Sequence, residues 1–139
     1  MIRATPDLKR VAQRLLDDES PAVAPTAYAH SAGFRVCAKL RKSLIALVGL
    51  GGFVALLQRA LTLAQAEAPE LSALQLALDG RLELAVPFEE WLAKGQIAKS
   101  EAVLIAQLLG LLVTLIGRNL VLSLLLEGWP HASFEDWKS

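Results

Sequence analysis

The chain has 139 residues, which suits a single domain, and its 14 basic and 14 acidic residues give a formal net charge of zero. This balance argues against a nucleic-acid-binding domain, since such domains are usually clearly basic. The single cysteine, Cys37, excludes an internal disulfide, and the hydrophobic share of 54% keeps a membrane location open.

The first predicted element is an amphipathic helix within residues 1–18. Its apolar residues recur at the spacing of one helical face, and a three-turn helix is marginal in water, so this face must be covered. The cover is this domain, a second copy, a partner or a membrane. We predict a docking element tethered by a Pro- and Ala-rich linker over residues 19–33. Its anchors are Leu8, Val11, Leu15 and Leu16.

Helical periodicity resumes at Phe34 and continues to about residue 67. Three glycines between residues 49 and 52 interrupt it. Each interior glycine costs roughly 1 kcal/mol of helix stability relative to Ala, so the cluster predicts a bend or a close backbone contact. We therefore predict two helices, 34–48 and 53–67.

The pattern changes to an alternation of apolar and polar residues on both sides of Asp79-Gly80. This arrangement is typical of a β-hairpin whose two turn residues adopt positive φ, and we place the hairpin at about 73–85. The alternative is a short helix through residues 71–78. A short helix over about 88–94 is expected next.

The longest apolar run, "SEAVLIAQLLGLLVTLIGRNLVLSLLLEGW", begins at Ser100 and predicts one helix over residues 100–127, capped by Ser100. Such a helix is either the hub of a bundle or a membrane span. The charge of Arg118 and the glycines in the other apolar run favour the hub. The alternative is a two-helix membrane hairpin, 43–57 and 102–126, with the basic residues on the cytoplasmic side.

Nothing in the sequence points to catalysis, a metal or a cofactor. His30 and His131 are isolated, and no His, Cys or carboxylate cluster has the spacing of metal ligands. Cys37 lies on an apolar helical stripe, which favours a buried structural thiol over a nucleophile. We therefore predict no enzymatic activity and no cofactor.

Charge is segregated along the chain. Residues 20–66 carry five basic residues and no acid, whereas residues 67–101 carry seven acids and three bases. The two segments either solvate the domain and face each other, or the first is a basic patch that docks an acidic partner, inositol phosphate head groups or nucleic acid. Its candidate residues are Arg35, Lys39 and Lys42.

Arg118 is the one charge between Glu101 and Glu127 in the longest apolar run. A buried Arg must be paired or hydrogen-bonded. This residue therefore reaches the surface, pairs with an internal glutamate, or anchors a protein interface, for which Arg is enriched. The candidate glutamates are Glu67, Glu83 and Glu90.

Three segments, "FRVCAKLRKSLIALVGLGGF", "RALTLAQAEAPEL" and "AQLLGLLVTLIG", give the chain a resemblance over residues 34 to about 130. The chain resembles an uncharacterised family of small bacterial helical proteins. The resemblance implies a bacterial cytoplasmic protein, and it brings no activity or catalytic residue with it.

Together these patterns predict a mainly α protein, a small helical bundle around a long apolar central helix, with one β-hairpin. The bundle covers residues 34–130, and residues 131–139 form a tail. We predict a non-enzymatic protein-interaction or adaptor module in the cytoplasm, which binds a protein partner or a second copy of itself and not nucleic acid. The alternative is a small inner-membrane protein, an effector or regulator, built on the 43–57 and 102–126 hairpin.

Overall fold

The computed structural model describes residues 6–20, 27–93, 95, 97–132 and 134. The chain is mainly helical, and its helices form a small bundle with one two-stranded antiparallel hairpin, as predicted. Residues 21–26 of the predicted linker, and residues 133 and 135–139 of the predicted tail, lie outside the described residues. The elements are α1 (Pro6–Asp18), a 3₁₀ turn (Tyr28–His30), α2 (Ala32–Glu67), a second 3₁₀ turn (Pro69–Ala73), β1 (Leu74–Leu76), β2 (Leu82–Leu84), α3 (Phe88–Leu92), α4 (Ile97–Ile116) and α5 (Arg118–Gly128).

The first half of α4 is the centre of the core. Every residue from 100 to 109 is buried, so this part of the helix is enclosed on all sides. The predicted Ser100 cap is wrong, because α4 begins at Ile97 and the Ser100 hydroxyl donates to the Glu70 carboxylate. That hydrogen bond ties the start of α4 to the turn that follows α2.

Helix α2 folds back on itself at Gly49, where φ is 81° and ψ is 167°. A straight helix of 36 residues would be about 54 Å long. Yet Gly33, near its start, packs on Glu101, and Glu70, just past its end, accepts the hydrogen bond from Ser100. Both ends of α2 therefore lie at the start of α4, and its two halves form a helical hairpin with Gly49 at the apex.

The predicted continuous helix over residues 100–127 is wrong. Gly117 has φ 88° and ψ 159°, and it separates α4 from α5. Continued straight, the chain would place Gly128 about 40 Å from Glu101. Instead the Gly128 carbonyl oxygen lies 3.4 Å from Nζ of Lys39, and Lys39 is only six residues from Gly33. Helix α5 therefore turns back along the bundle, and Gly117 is the apex of a second helical hairpin.

Both apices lie at the same end of the bundle. Gly49 and Gly117 each lie sixteen residues beyond the contact between Gly33 and Glu101. The contact between Lys39 and Gly128 lies ten residues from the first apex and eleven from the second. Each of these two contacts joins residues that lie at nearly the same distance from their own apex. The two hairpins therefore point the same way, and both apices lie about 24 Å beyond the Gly33–Glu101 contact.

The β-hairpin forms where the alternating pattern predicts it, with Leu74 opposite Leu84 and Leu76 opposite Leu82. Its turn differs from the prediction. The connection runs over residues 77–81, and of Asp79 and Gly80 only Gly80 has positive φ. The Asp79 carboxylate instead accepts the backbone N–H of Arg81, which supports a longer turn.

Candidate functional site

The predicted docking face of α1 is already covered within the domain. Val11, Leu15 and Leu16 are buried, and Leu8 packs beside α4, 3.4 Å from where a methyl group on Gly110 would lie. These side chains are part of the core and are not exposed anchors. Helix α1 is amphipathic, as predicted, but its apolar face packs against the rest of this domain.

The predicted basic residues are at the surface, but they do not form one cluster with Arg118. Arg35, Lys39 and Lys42 are exposed on the first half of α2. Nζ of Lys39 forms an ion pair of 2.5 Å with Glu19 and lies 5.2 Å from the centre of the Trp129 ring. Arg118 is exposed next to the second apex, which agrees with the surface position among its three alternatives, and its role as an interface anchor stays a prediction.

The two apices carry segments that stand clear of the core. We define tip 1 as residues 45–52 and tip 2 as residues 113–120. All of these residues are described, and none of them is buried. The flanking residues are fully enclosed on each side: Leu44 and Phe53 around tip 1, Leu112 and Val121 around tip 2. In both hairpins the core thus ends five residues before the apical glycine and begins again four residues after it.

The sequence carries a signal for the paired tips. "LIALVG" over residues 44–49 and "LVTLIG" over residues 112–117 share Leu at the first and fourth positions and Gly at the sixth. The two copies are 68 residues apart, outside the 20–50 residue periods of repeat proteins. Each glycine adopts a backbone conformation that is essentially restricted to glycine.

The surface of tip 1 is apolar on all sides, and that of tip 2 is apolar except for Thr114, Arg118 and Asn119. Leu47 and Leu50 in tip 1 are 45% and 41% exposed, and Leu115 and Leu120 in tip 2 are 57% and 42% exposed. Tip 1 contains only Ile, Ala, Leu, Val and Gly. In tip 2 the Thr114 hydroxyl donates to the Gly110 carbonyl of its own helix. Exposed apolar side chains are common singly, but a concentration at one end marks an interaction surface.

The turn of the β-hairpin adds one more apolar group beside tip 1. Leu78 is 97% exposed. A methyl group placed on Gly80 would lie 3.0 Å from the Phe53 ring, and Nε of Arg41 donates to the Asp79 carbonyl at 2.8 Å. These contacts hold the turn against α2 just below tip 1, and Leu78 projects from it.

A buried carboxylate joins the two helical hairpins at their base. The Glu101 side chain is enclosed, and it accepts the Ser31 hydroxyl at 3.4 Å and the backbone N–H of Gly33. Only glycine fits opposite it, since a methyl group on Gly33 would lie 1.9 Å from Oε2. Burial raises the pKa of Glu101 to about 7, although the two hydrogen bonds lower it.

The titratable groups beside Glu101 are also buried. Cys37 is buried, and desolvation, with the nearby Glu101 charge, raises the pKa of its thiol to about 12. Burial likewise raises the pKa of Tyr28, whose ring packs edge-on against Phe34 and Trp91. A thiol that stays protonated at neutral pH is a poor nucleophile, so Cys37 fits the predicted structural role.

A cleft of about 1000 Å³ opens at the base between α1, the end of α2 and the start of α4. Lys9 pairs with Glu67 across it, and Ser100 bonds Glu70 beside it. These polar groups join the three elements to one another. Within the described part of the chain, no group of three or more His, Cys, Asp and Glu residues could hold a metal ion.

Two helices, Ala32–Glu67 and Ile97–Ile116, are long and apolar enough to cross a membrane by length and composition alone. Within the most apolar stretch of each helix, 28% of the stretch is buried in α2 and 61% in α4.

Comparison with known protein families, characterised proteins and solved structures gives no match for this chain. The predicted resemblance to small bacterial proteins therefore stays a prediction.

Proposed function

We propose that this protein is a non-enzymatic attachment module that inserts tip 1 and tip 2 into one leaflet of a membrane. The observation that carries the proposal is the pair of exposed apolar tips at the same end of the bundle. Burying one Leu side chain away from water contributes roughly 1.5–3 kcal/mol, and the tips expose four of them. The remainder of the chain forms the domain that is attached.

Lipid fits this surface better than a protein partner does. Protein interfaces are enriched in Tyr, Trp and Arg, with polar rims that fix orientation. The tips contain no aromatic residue, and tip 1 has no side chain that can donate or accept a hydrogen bond. Tip 2 does carry Arg118 and Asn119, and the long Arg118 side chain can extend to the headgroups from a shallow insertion. The hydroxyls of Thr114 and Ser123 bond carbonyls of their own helices, which satisfies them in an apolar surrounding.

The geometry favours insertion over spanning. A span needs about 20 apolar residues in one direction, whereas the uncharged run from Ser43 reverses at Gly49 after about 10 Å. Interfacial segments lie about 5–10 Å deep. This changes the predicted membrane alternative: residues 43–57 and 102–126 each form a hairpin of their own, instead of one hairpin between them.

The proposal also changes the predicted adaptor role. That prediction relied on the apolar face of α1, which is buried here. We propose that the attached domain lies in the cytoplasm on the inner membrane, which combines the predicted cytoplasmic location with its membrane alternative. A second copy that covers the tips is the competing arrangement, and the experiment below separates the two.

The test is partition of the full chain onto lipid vesicles in a flotation assay. We expect the wild-type chain to float, and Leu50→Gln to lower the partition coefficient about tenfold, because an apolar side chain is lost from the inserted surface. Leu92→Gln is the matched control, since Leu92 has the same 41% exposure but lies on α3, where Trp91 contacts Glu70 at the base. It should leave partition unchanged.

Light scattering of the same variants identifies the competing outcome. A wild-type chain that stays with the aqueous phase, forms a dimer and becomes monomeric through Leu50→Gln would show that the tips bind a second copy. Equal losses of flotation for Leu50→Gln and Leu92→Gln would show that attachment does not depend on the tips.

A further inference from the structure

Basic side chains surround the protein just below tip 1. The first 35 residues of α2 contain Arg35, Lys39, Arg41, Lys42 and Arg59 and no acidic residue. Lys42 lies seven residues before the apex at Gly49, and Arg59 lies ten residues after it. The fold-back therefore brings bases from both arms of the hairpin to about 10–15 Å below the apex.

The chemistry of the surface thus changes along the axis of the hairpin. Tip 1 is uncharged, and the basic level begins directly beneath it. Both Lys42 and Arg59 are exposed. Few acidic side chains lie at the same distance below the apices as Lys42 and Arg59. Glu127 is exposed on α5, and Asp79 forms an ion pair of 3.0 Å with Arg81 in the turn of the β-hairpin.

Two of the five bases already have partners within the fold. Lys39 pairs with Glu19, and Arg41 donates to the carbonyl of Asp79. Lys39 and Arg41 therefore hold parts of the fold together, and their charges contribute little to the binding of an external anion. Lys42 and Arg59, with Arg35 farther from the apex, are the side chains whose charge faces outward.

We propose that Lys42 and Arg59 bind the phosphates of anionic lipids when tip 1 is inserted, so that the module selects anionic membranes. This inference rests on the proposed insertion. With the apex about 10 Å inside the leaflet, residues 10–15 Å below it meet the headgroups. Each Lys or Arg near an anionic surface strengthens binding about fivefold, and salt weakens this contribution.

The test compares vesicles of phosphatidylcholine alone with vesicles that also contain phosphatidylserine. We expect the full chain to partition at least tenfold better onto the anionic vesicles at low salt, with the preference falling as salt rises. Lys42→Gln combined with Arg59→Gln should remove most of the preference and leave partition onto phosphatidylcholine unchanged. Lys99→Gln, an exposed base at the start of α4, is the matched control and should change neither value.

Three outcomes separate the two proposals. Equal partition onto both vesicle types, still lost in Leu50→Gln, overturns lipid selection and leaves insertion standing. Absence of partition onto either vesicle type overturns both proposals. Displacement of the bound chain by soluble glycerophosphate at constant ionic strength would identify a small phosphate compound as the ligand and overturn the membrane assignment.

Discussion

Tip 1 and tip 2 have the same backbone and different side chains. Gly49 and Gly117 adopt φ of 81° and 88° with ψ of 167° and 159°, and the core stops at the same distance on each side of both glycines. After the glycine, tip 1 continues with Leu50-Gly51-Gly52, whereas tip 2 continues with Arg118-Asn119-Leu120. The glycine sets the fold-back, and the residues next to it set what the tip can contact.

The largest expected effect concerns Glu101, which holds the two hairpins at the same level. Its folded pKa of about 7 is higher than the value of 4.5 for an ordinary glutamate, because the carboxylate is desolvated. The folded state therefore binds the proton more tightly, and this group's stabilising contribution falls as pH rises from about 4.5 to about 7. The full difference amounts to at most about 3 kcal/mol.

Glu101→Gln tests this directly, since its amide oxygen can still accept the bonds from Ser31 and Gly33. We expect the variant to be more stable than the wild type at pH 8 and to lose the decline between pH 4.5 and 7. The measurement is urea denaturation followed by circular dichroism across that range. A variant curve parallel to the wild type at every pH would mean that Glu101 is solvated and that the hairpins are joined differently.

The next effect concerns the two apical glycines. Gly49→Ala and Gly117→Ala should each lower the free energy of unfolding by about 1–3 kcal/mol, because a side chain is strained at this φ and ψ. No other atom lies within 4 Å of the added methyl group in either case, so the loss is conformational and should be similar at both apices.

Gly51→Ala is the matched control for this pair. Gly51 has equally open surroundings but lies in a helical stretch without positive φ. The methyl group should therefore be neutral or stabilise the fold by about 0.5–1 kcal/mol. Equal losses for Gly49→Ala and Gly51→Ala in thermal or urea denaturation would show that residue 49 is an ordinary helical position and that tip 1 is not a fold-back.

The smallest effect on folding stability comes from substitutions that test the difference between the tips. Leu50 and Arg118 each follow the apical glycine, so Leu50→Arg and Arg118→Leu exchange the chemistry of the tips at equivalent positions. We expect Leu50→Arg to weaken vesicle partition by about 1–3 kcal/mol and Arg118→Leu to strengthen it by less. Both exposed substitutions should change folding stability by less than about 0.5 kcal/mol. A gain for Arg118→Leu as large as the loss for Leu50→Arg would show that the tips contribute alike.

Secondary structure was largely predictable, and the exceptions are instructive. The apolar period placed α1, and the alternation around Asp79-Gly80 placed the β-hairpin. The glycine cluster near residue 49 correctly predicted a bend. Gly117 lies inside the run that was predicted as one helix, because a lone glycine in an apolar run does not reveal its φ. Gly110 in the same run allows a close approach by Leu8 of α1.

The candidate surface was harder to predict than the fold. Helix α1 had an apolar face that needed cover, and the sequence does not state whether the cover is a partner or the domain itself. The sequence left three alternatives open for Arg118, and its exposure agrees with a position at the surface. Glu101 was expected in the first turn of a helix, where a carboxylate is common, and its burial depends on Gly33 and Ser31, which are about 70 residues away.

The sequence by itself determined which segments are helical, where the hairpin lies and which stretches are uncharged, because these properties depend on neighbours within a few residues. The tertiary structure alone decided that α1 belongs to the core, that Glu101 is buried, and that both apolar stretches reverse at glycines on the same end. This is because the hydrophobic effect is non-directional, so an apolar residue is stabilised by burial against any apolar surface. Only the packing of α1, α2 and α4 around one centre decides which apolar residues are covered and which remain exposed at the tips.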